Sequence, residues 1–108
     1  MSLMHAYRNE TVILSANTRD EYGEPGDPLV YRNVPARVDR KVRWVRNFAG
    51  EQVVATGTVF VAPQYGEPFL DDALHDKSVT LASGEGHQMI GASPIGAFRV
   101  DHYEVYIA

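Results

Sequence analysis

Gln52-Val-Val-Ala-Thr-Gly-Thr-Val-Phe-Val-Ala62 decides the fold. Nearly every position is apolar or small, and four of the residues are valine. Branching at Cβ stiffens the side chain and suits a pleated strand better than a helix. A strand apolar at successive positions needs cover on both faces for much of its length. Gly57 in its middle predicts a bulge or sharp bend of the kind a barrel needs. Pro63 closes the run. Val53 to Val61 is therefore expected to be the central core strand.

The flanking stretches share the period of two. Thr11 to Asn17, T-V-I-L-S-A-N, is a β-branched run ending in turn residues. Arg19 to Pro28 is crowded with Gly, Pro and acids and reads as a loop. From Leu29 to Val45 the residues Val34, Ala36, Val38, Val42 and Trp44 share one parity, and Arg37, Asp39 and Arg43 the other. That is a half-buried strand with its basic side chains outward. On this parity Trp44 belongs to the core or to a subunit interface. Asn47 to Gly50 reads as a turn. Gln64 to Asp76 is a connection with room for one or two helical turns, at most a short one around Leu70 to Leu74. Ser78–Leu81 and His87–Ile90 form a hairpin across Ser83-Gly-Glu-Gly86. Ser93 to Gly96 turns again, and Phe98 to Ile107 is the closing strand. About six or seven short strands separated by turns give an all-β chain, a small antiparallel barrel or sandwich.

The 108 residues form a single domain, long enough for one modest core. Met1-Ser2-Leu3 ahead of Met4 reads as an addition before a native start, and residues 1–8 are expected to be disordered or partly foreign. No cysteine is present, so disulfides and thiolate chemistry are excluded, which suits a reducing compartment. No apolar run approaches the ~20 residues of a membrane helix, and no signal-peptide pattern opens the chain. The formal charge is −4, but it is unevenly spread. Arg32, Arg37, Arg40, Lys41, Arg43 and Arg46 are opposed locally only by Asp39, so this segment is strongly positive in an otherwise acidic chain. A local field of that sign acts over roughly a Debye length of ~8 Å, so it points to an anionic partner or an acidic neighbouring subunit. A solvated hairpin end would also carry Lys and Arg.

Catalytic constellations are missing. No serine has the G-x-S-x-G context and no phosphate-binding G-x-x-x-x-G-K-[ST] loop occurs. Asp71, Asp72, His75 and Asp76 offer oxygen and imidazole ligands, but an exposed acidic turn between strands explains them better, since zinc sites seldom lack Cys or a second His. Asp101 and His102, adjacent in a strand, are expected on opposite faces and hence not as an acid–base pair. His102 and Glu104 share a face. No enzyme activity, cofactor or metal is expected.

The order of features resembles the head–tail stopper, or head-closure, proteins of long-tailed bacteriophages. It runs through Val12-Ile-Leu14, Asp20-Glu-Tyr-Gly-Glu-Pro-Gly26 and Val34-Pro-Ala-Arg-Val38. After the basic segment come Gly50-Glu-Gln-Val-Val-Ala-Thr-Gly-Thr-Val-Phe-Val-Ala-Pro63, Asp76-Lys-Ser-Val-Thr-Leu81, Ser83-Gly-Glu-Gly86 and His102-Tyr-Glu-Val-Tyr-Ile107. The resemblance implies a small β-barrel in a homo-oligomeric ring between portal or adaptor proteins and tail proteins. Such a ring closes the DNA-filled head, sits in the virion neck and is assembled in the bacterial cytoplasm. On that reading Arg40, Lys41, Arg43 and Arg46 lie in or beside a mobile hairpin segment facing non-specific duplex DNA in the channel, whose phosphates carry one charge per ~1.7 Å. The other reading is a nucleic-acid-binding module of oligonucleotide-binding type, with Trp44, Phe48 and Tyr31 stacking bases beside the arginines.

Overall fold

The computed structural model describes residues 10–19 and 22–108, so the expectation for residues 1–8 lies outside the described residues. Eight strands form: β1 (Glu10–Asn17), β2 (Leu29–Asp39), β3 (Arg43–Arg46), β4 (Gln52–Ala55), β5 (Gly57–Val61), β6 (His75–Thr80), β7 (Gly86–Ile95) and β8 (His102–Ile107). Six close into an antiparallel barrel in the order β1-β2-β5-β8-β7-β6, and β3 and β4 pair as a separate ribbon. The chain is therefore all-β, as its period of two requires.

Alternation builds the interior. Val12, Leu14 and Ala16 of β1, Val34, Ala36 and Val38 of β2, and Val59 and Val61 of β5 point inward and are buried. Tyr103, Val105 and Ile107 of β8 complete that wall, with Val79, Leu81 and Met89 opposite. Only the second half of the expected core strand is core: the run breaks at Thr56, Gly57–Val61 enters the barrel, and Gln52–Ala55 turns out into the ribbon, where Val54 is exposed. Gly57 permits the break: a Cβ there would lie 3.2 Å from the Asp39 carbonyl oxygen and 3.3 Å from the Ile107 side chain. Between Pro63 and Leu70 the chain makes one α-turn, α1 (Pro63–Gly66), and one 3-10 turn (Glu67–Leu70). The helical turns thus precede the expected Leu70–Leu74, because Pro63 and Pro68 each stand at the start of a turn. Asp71 to Leu74 makes only a hydrogen-bonded turn. Phe69 is fully buried and meets Tyr31 edge-on at 6.0 Å, and Tyr31 meets Tyr65 at 5.7 Å.

Other boundaries differ from expectation: β6 starts at His75, inside the expected Gln64–Asp76 connection, instead of at Ser78. β7 runs through Ile95, where a turn was expected from Ser93, and β8 starts at His102 instead of Phe98. Phe98 is fully exposed in the connecting loop.

Strand direction sorts the connections to two ends. The β1–β2 loop, the Ala62–Leu74 connection and the β7–β8 loop lie at one end. The β6–β7 turn and the start of the β3–β4 ribbon lie at the other. The first end carries Asp27, Glu67, Asp71, Asp72 and Asp76. The second carries Arg40 and Lys41, between β2 and β3. Among the described residues no helix is long and apolar enough to cross a membrane.

Candidate functional site

The basic segment becomes a folded ribbon. Asn47 shapes its tip: the side-chain oxygen accepts from the amides of Ala49 (3.0 Å) and Glu51 (2.9 Å). Gly50, at φ 82°, supplies the left-handed conformation the turn requires, and its carbonyl accepts from Arg46 Nη1 at 2.8 Å. The register then pairs Trp44 with Val54 and Val45 with Val53.

This ribbon lies against the outer wall of the barrel. Val45 and Ala55 pack on Tyr106, with Val53 and Ile90 at the margin. The Phe48 amide donates to the Ile90 carbonyl at 3.0 Å, and the Thr56 amide to the Ile107 carbonyl at 2.9 Å. At Gly91 a Cβ would sit 2.5 Å from the Arg46 carbonyl oxygen, so glycine is what lets the ribbon approach β7. At the tip the Lys77 ammonium stands 3.8 Å from the centre of the Phe48 ring, a cation–π contact. Partial burial lowers the Lys77 pKa, against the opposing pull of Asp72 and Asp71. Tyr106 is shifted upward, first by burial, with its hydroxyl donating to Glu104 Oε2 at 2.9 Å. Thr58, which pairs with Tyr106 across the sheet, is buried, and its hydroxyl has no hydrogen-bond partner among the described residues.

The four residues expected to face a channel take different positions. Arg40 pairs with Glu10 at 3.3 Å. Arg43 lies 3.7 Å from Glu104 and over the Tyr106 ring at 5.7 Å. Arg46 binds the turn through Gly50, and Lys41 is exposed at the base of the ribbon. They cluster in one region, whereas Arg32 sits apart in the first half of β2 and Arg37 stacks over Phe60 at 5.5 Å.

Trp44 is not in the core: it is 66% exposed, with Val42 at 69% and Val54 at 45%. The parity drawn through Val38, Val42 and Trp44 fails because β2 ends at Asp39 and the chain bends before β3, which buries Val45 instead. The ring set Trp44, Phe48 and Tyr31 is likewise divided. Tyr31 packs with Tyr65 and Phe69, Phe48 sits on Lys77, and Trp44 faces solvent.

Asp71, Asp72, His75 and Asp76 do not converge, and no three potential ligands among the described residues gather around a metal-sized space. Asp71 Oδ1 accepts from the Ala73 amide at 2.9 Å, and Asp76 Oδ2 accepts from Asn17 Nδ2 at 3.0 Å. Asp101 and His102 do pair, with Nδ1 to Oδ2 at 2.9 Å. The opposite-face argument fails because Asp101 precedes the strand and is free of its alternation.

Comparison of the chain with protein-family models, curated proteins and solved structures found no match. The ribbon is therefore weighed on its own geometry. Lys77, Gly91 and Tyr106 are the ribbon contacts that pattern reading passed over. Tyr106 had a signal: in His102-Tyr-Glu-Val-Tyr-Ile107 it is an apolar ring on the outward parity, which calls for cover.

Proposed function

We propose that this chain is a structural subunit of the neck of a long-tailed bacteriophage. In this reading copies form a ring between portal or adaptor and tail, close the DNA-filled head and present the tail-attachment surface. The virion neck is its final location and the bacterial cytoplasm the place of assembly. One observation carries the reading: a closed antiparallel barrel has a ribbon fastened to its wall, and Arg40, Lys41, Arg43 and Arg46 lie on that ribbon or on its approach from β2. The barrel agrees with the fold that the sequence resemblance implies. Positive charge repeated around a ring would meet duplex phosphate without reading base sequence.

The test is complementation of a phage lacking this reading frame. The parent chain should restore filled, tailed particles. A chain with Arg40, Lys41, Arg43 and Arg46 all changed to Glu should give heads that lose DNA. Normal particles without the gene would reject the neck role. Full heads with the four-Glu chain would reject the DNA-facing role alone.

The exposure of Trp44 beside Arg43 and Arg46 favours a second reading, a single-strand-binding barrel. Quenching of Trp44 fluorescence by a short oligonucleotide at low salt, lost as salt rises, would support it.

A further inference from the structure

Among the described residues nothing covers the outer face of the β3–β4 ribbon. Register places Trp44, Arg46, Gln52 and Val54 on that face, and Val42 and Lys41 lie exposed beside it. The result is an apolar patch rimmed by positive charge. Exposed apolar side chains gathered this way, with a polar rim, are the pattern of a docking site. The ribbon also contains the only tryptophan of the chain.

The chain carries a surface of the opposite chemistry. On the 3-10 turn and just after it, Glu67, Leu70, Asp71 and Asp72 are exposed. Leu70 is 37% exposed, an apolar side chain set among three carboxylates. Phe69 fixes this turn from beneath, because its ring is fully buried among Tyr31 and the barrel interior. Both surfaces are therefore held in shape by buried neighbours before any partner arrives. Preformed faces lose little ordering entropy on docking.

We infer that the Trp44 face of one copy docks the Glu67–Asp72 turn of a second copy, with Leu70 seated on the apolar patch and the carboxylates against Lys41 and Arg46. This contact rests on the ring reading only in requiring self-association. Its faces come from charge and exposure. Opposite charge at the rim would guide and orient the encounter, while the apolar centre excludes water.

Trp44 reports the contact directly. As the parent chain is concentrated, its emission should move to shorter wavelength while the sedimentation coefficient rises, and added salt should reverse both. Two exposed double variants separate the faces without touching the core: Lys41→Glu with Arg46→Glu, and Glu67→Lys with Asp72→Lys. Each alone should be monomeric, because its two faces then carry like charge. Mixed in equal amounts they should associate, since each then meets a face of opposite sign. Far-ultraviolet circular dichroism checks that both stay folded.

A parent chain still monomeric at roughly 1 mM would overturn the inference, since such a contact would be weaker than about −4 kcal/mol. So would single variants that associate like the parent, a mixture that stays monomeric, or an emission shift that appears only with added duplex DNA. The complementation assay reads the neck role separately. A chain monomeric in isolation that still restores particles would remove this contact and leave the neck reading standing. A chain that associates as described yet fails to restore them would do the reverse.

Discussion

The barrel interior and the small cluster under the β3–β4 ribbon differ in chemistry and in how the chain builds them. Inside the barrel, Val12, Leu14, Val34, Val59, Val61, Phe69, Val79 and Val105 are all essentially inaccessible and wholly apolar. They come from five strands and one helical turn, so losing any one strand opens the whole. Under the ribbon there are Val45, Ala55 and Tyr106, with an unpartnered Thr58 hydroxyl beside them and Lys77 at the margin. The first cluster sets whether the molecule folds. The second sets only whether a ribbon lies down on a barrel that is already closed. Stability in such a molecule is graded, with the ribbon expected to open at lower free energy than the barrel.

Val59→Asp is the most severe test of that division. It places a carboxylate at a position with no solvent access and no partner, costing on the order of several kcal/mol. The variant should show no cooperative thermal transition. A melt like that of the parent would mean the barrel interior is not the fold's foundation.

Gly91→Ala should separate the two regions. The new methyl meets the Arg46 carbonyl oxygen at 2.5 Å and Tyr106 at 3.2 Å, and one of these is backbone that cannot rotate away. Overpacking of this kind typically costs 1–3 kcal/mol, about enough to lift the ribbon without opening the barrel. Hydrogen exchange should accelerate at Val45 and Val53, while the amides of β1 and β8 keep their protection. Uniform acceleration across all strands would show that the two clusters form one cooperative unit.

The contrast also explains which features the sequence discloses. The barrel is legible because its residues obey a local rule: Val12, Leu14 and Ala16, or Val59 and Val61, recur every second position whatever they pack against. The same rule misplaced Trp44, because the bend between Asp39 and Arg43 resets the parity and nothing at Arg40-Lys-Val42 announces it. The ribbon's resting place was signalled only by the outward ring of Tyr106, which calls for cover without saying what supplies it. It depends on Gly91, Tyr106 and Lys77, which lie far along the chain from its tip and become meaningful only once β7, β8 and β6 are adjacent. Asp101 and His102 teach a related point: one residue outside a strand is enough to cancel the face rule.

Thr58→Val should stabilise the protein. The substitution keeps the branched shape and removes a buried hydroxyl that has no hydrogen-bond partner among the described residues. Relief of an unsatisfied buried polar group is expected to be worth about 1 kcal/mol. Chemical denaturation would read it as a higher midpoint at unchanged slope. A lower midpoint would show that the hydroxyl does satisfy its hydrogen bond, and that the ribbon cluster is better made than described above.

The smallest effect is also the one that distinguishes the ribbon's two anchors. The Lys77 pKa is lowered in the folded chain by burial, so the unfolded state binds the proton more tightly. Between the folded value and the ordinary 10.5, the unfolded chain therefore carries more protons, and stability rises with pH through that window. Tyr106 works in the opposite sense. Its folded pKa is raised above 10.0 by burial, so above that pH the unfolded chain ionises first and stability falls. The two contributions oppose each other near the alkaline end, and the parent should show a shallow maximum there instead of a steady trend. Lys77→Met should remove the rising limb and leave the fall. Tyr106→Phe should remove the fall and leave the rise. Both residues meet the ribbon, one at its tip and one beneath its centre, so hydrogen exchange at Val45 should show this pH pattern at a lower protection than exchange at Val59, which follows the global midpoint. Equal protection at the two amides across the pH range would mean that the ribbon does not open on its own.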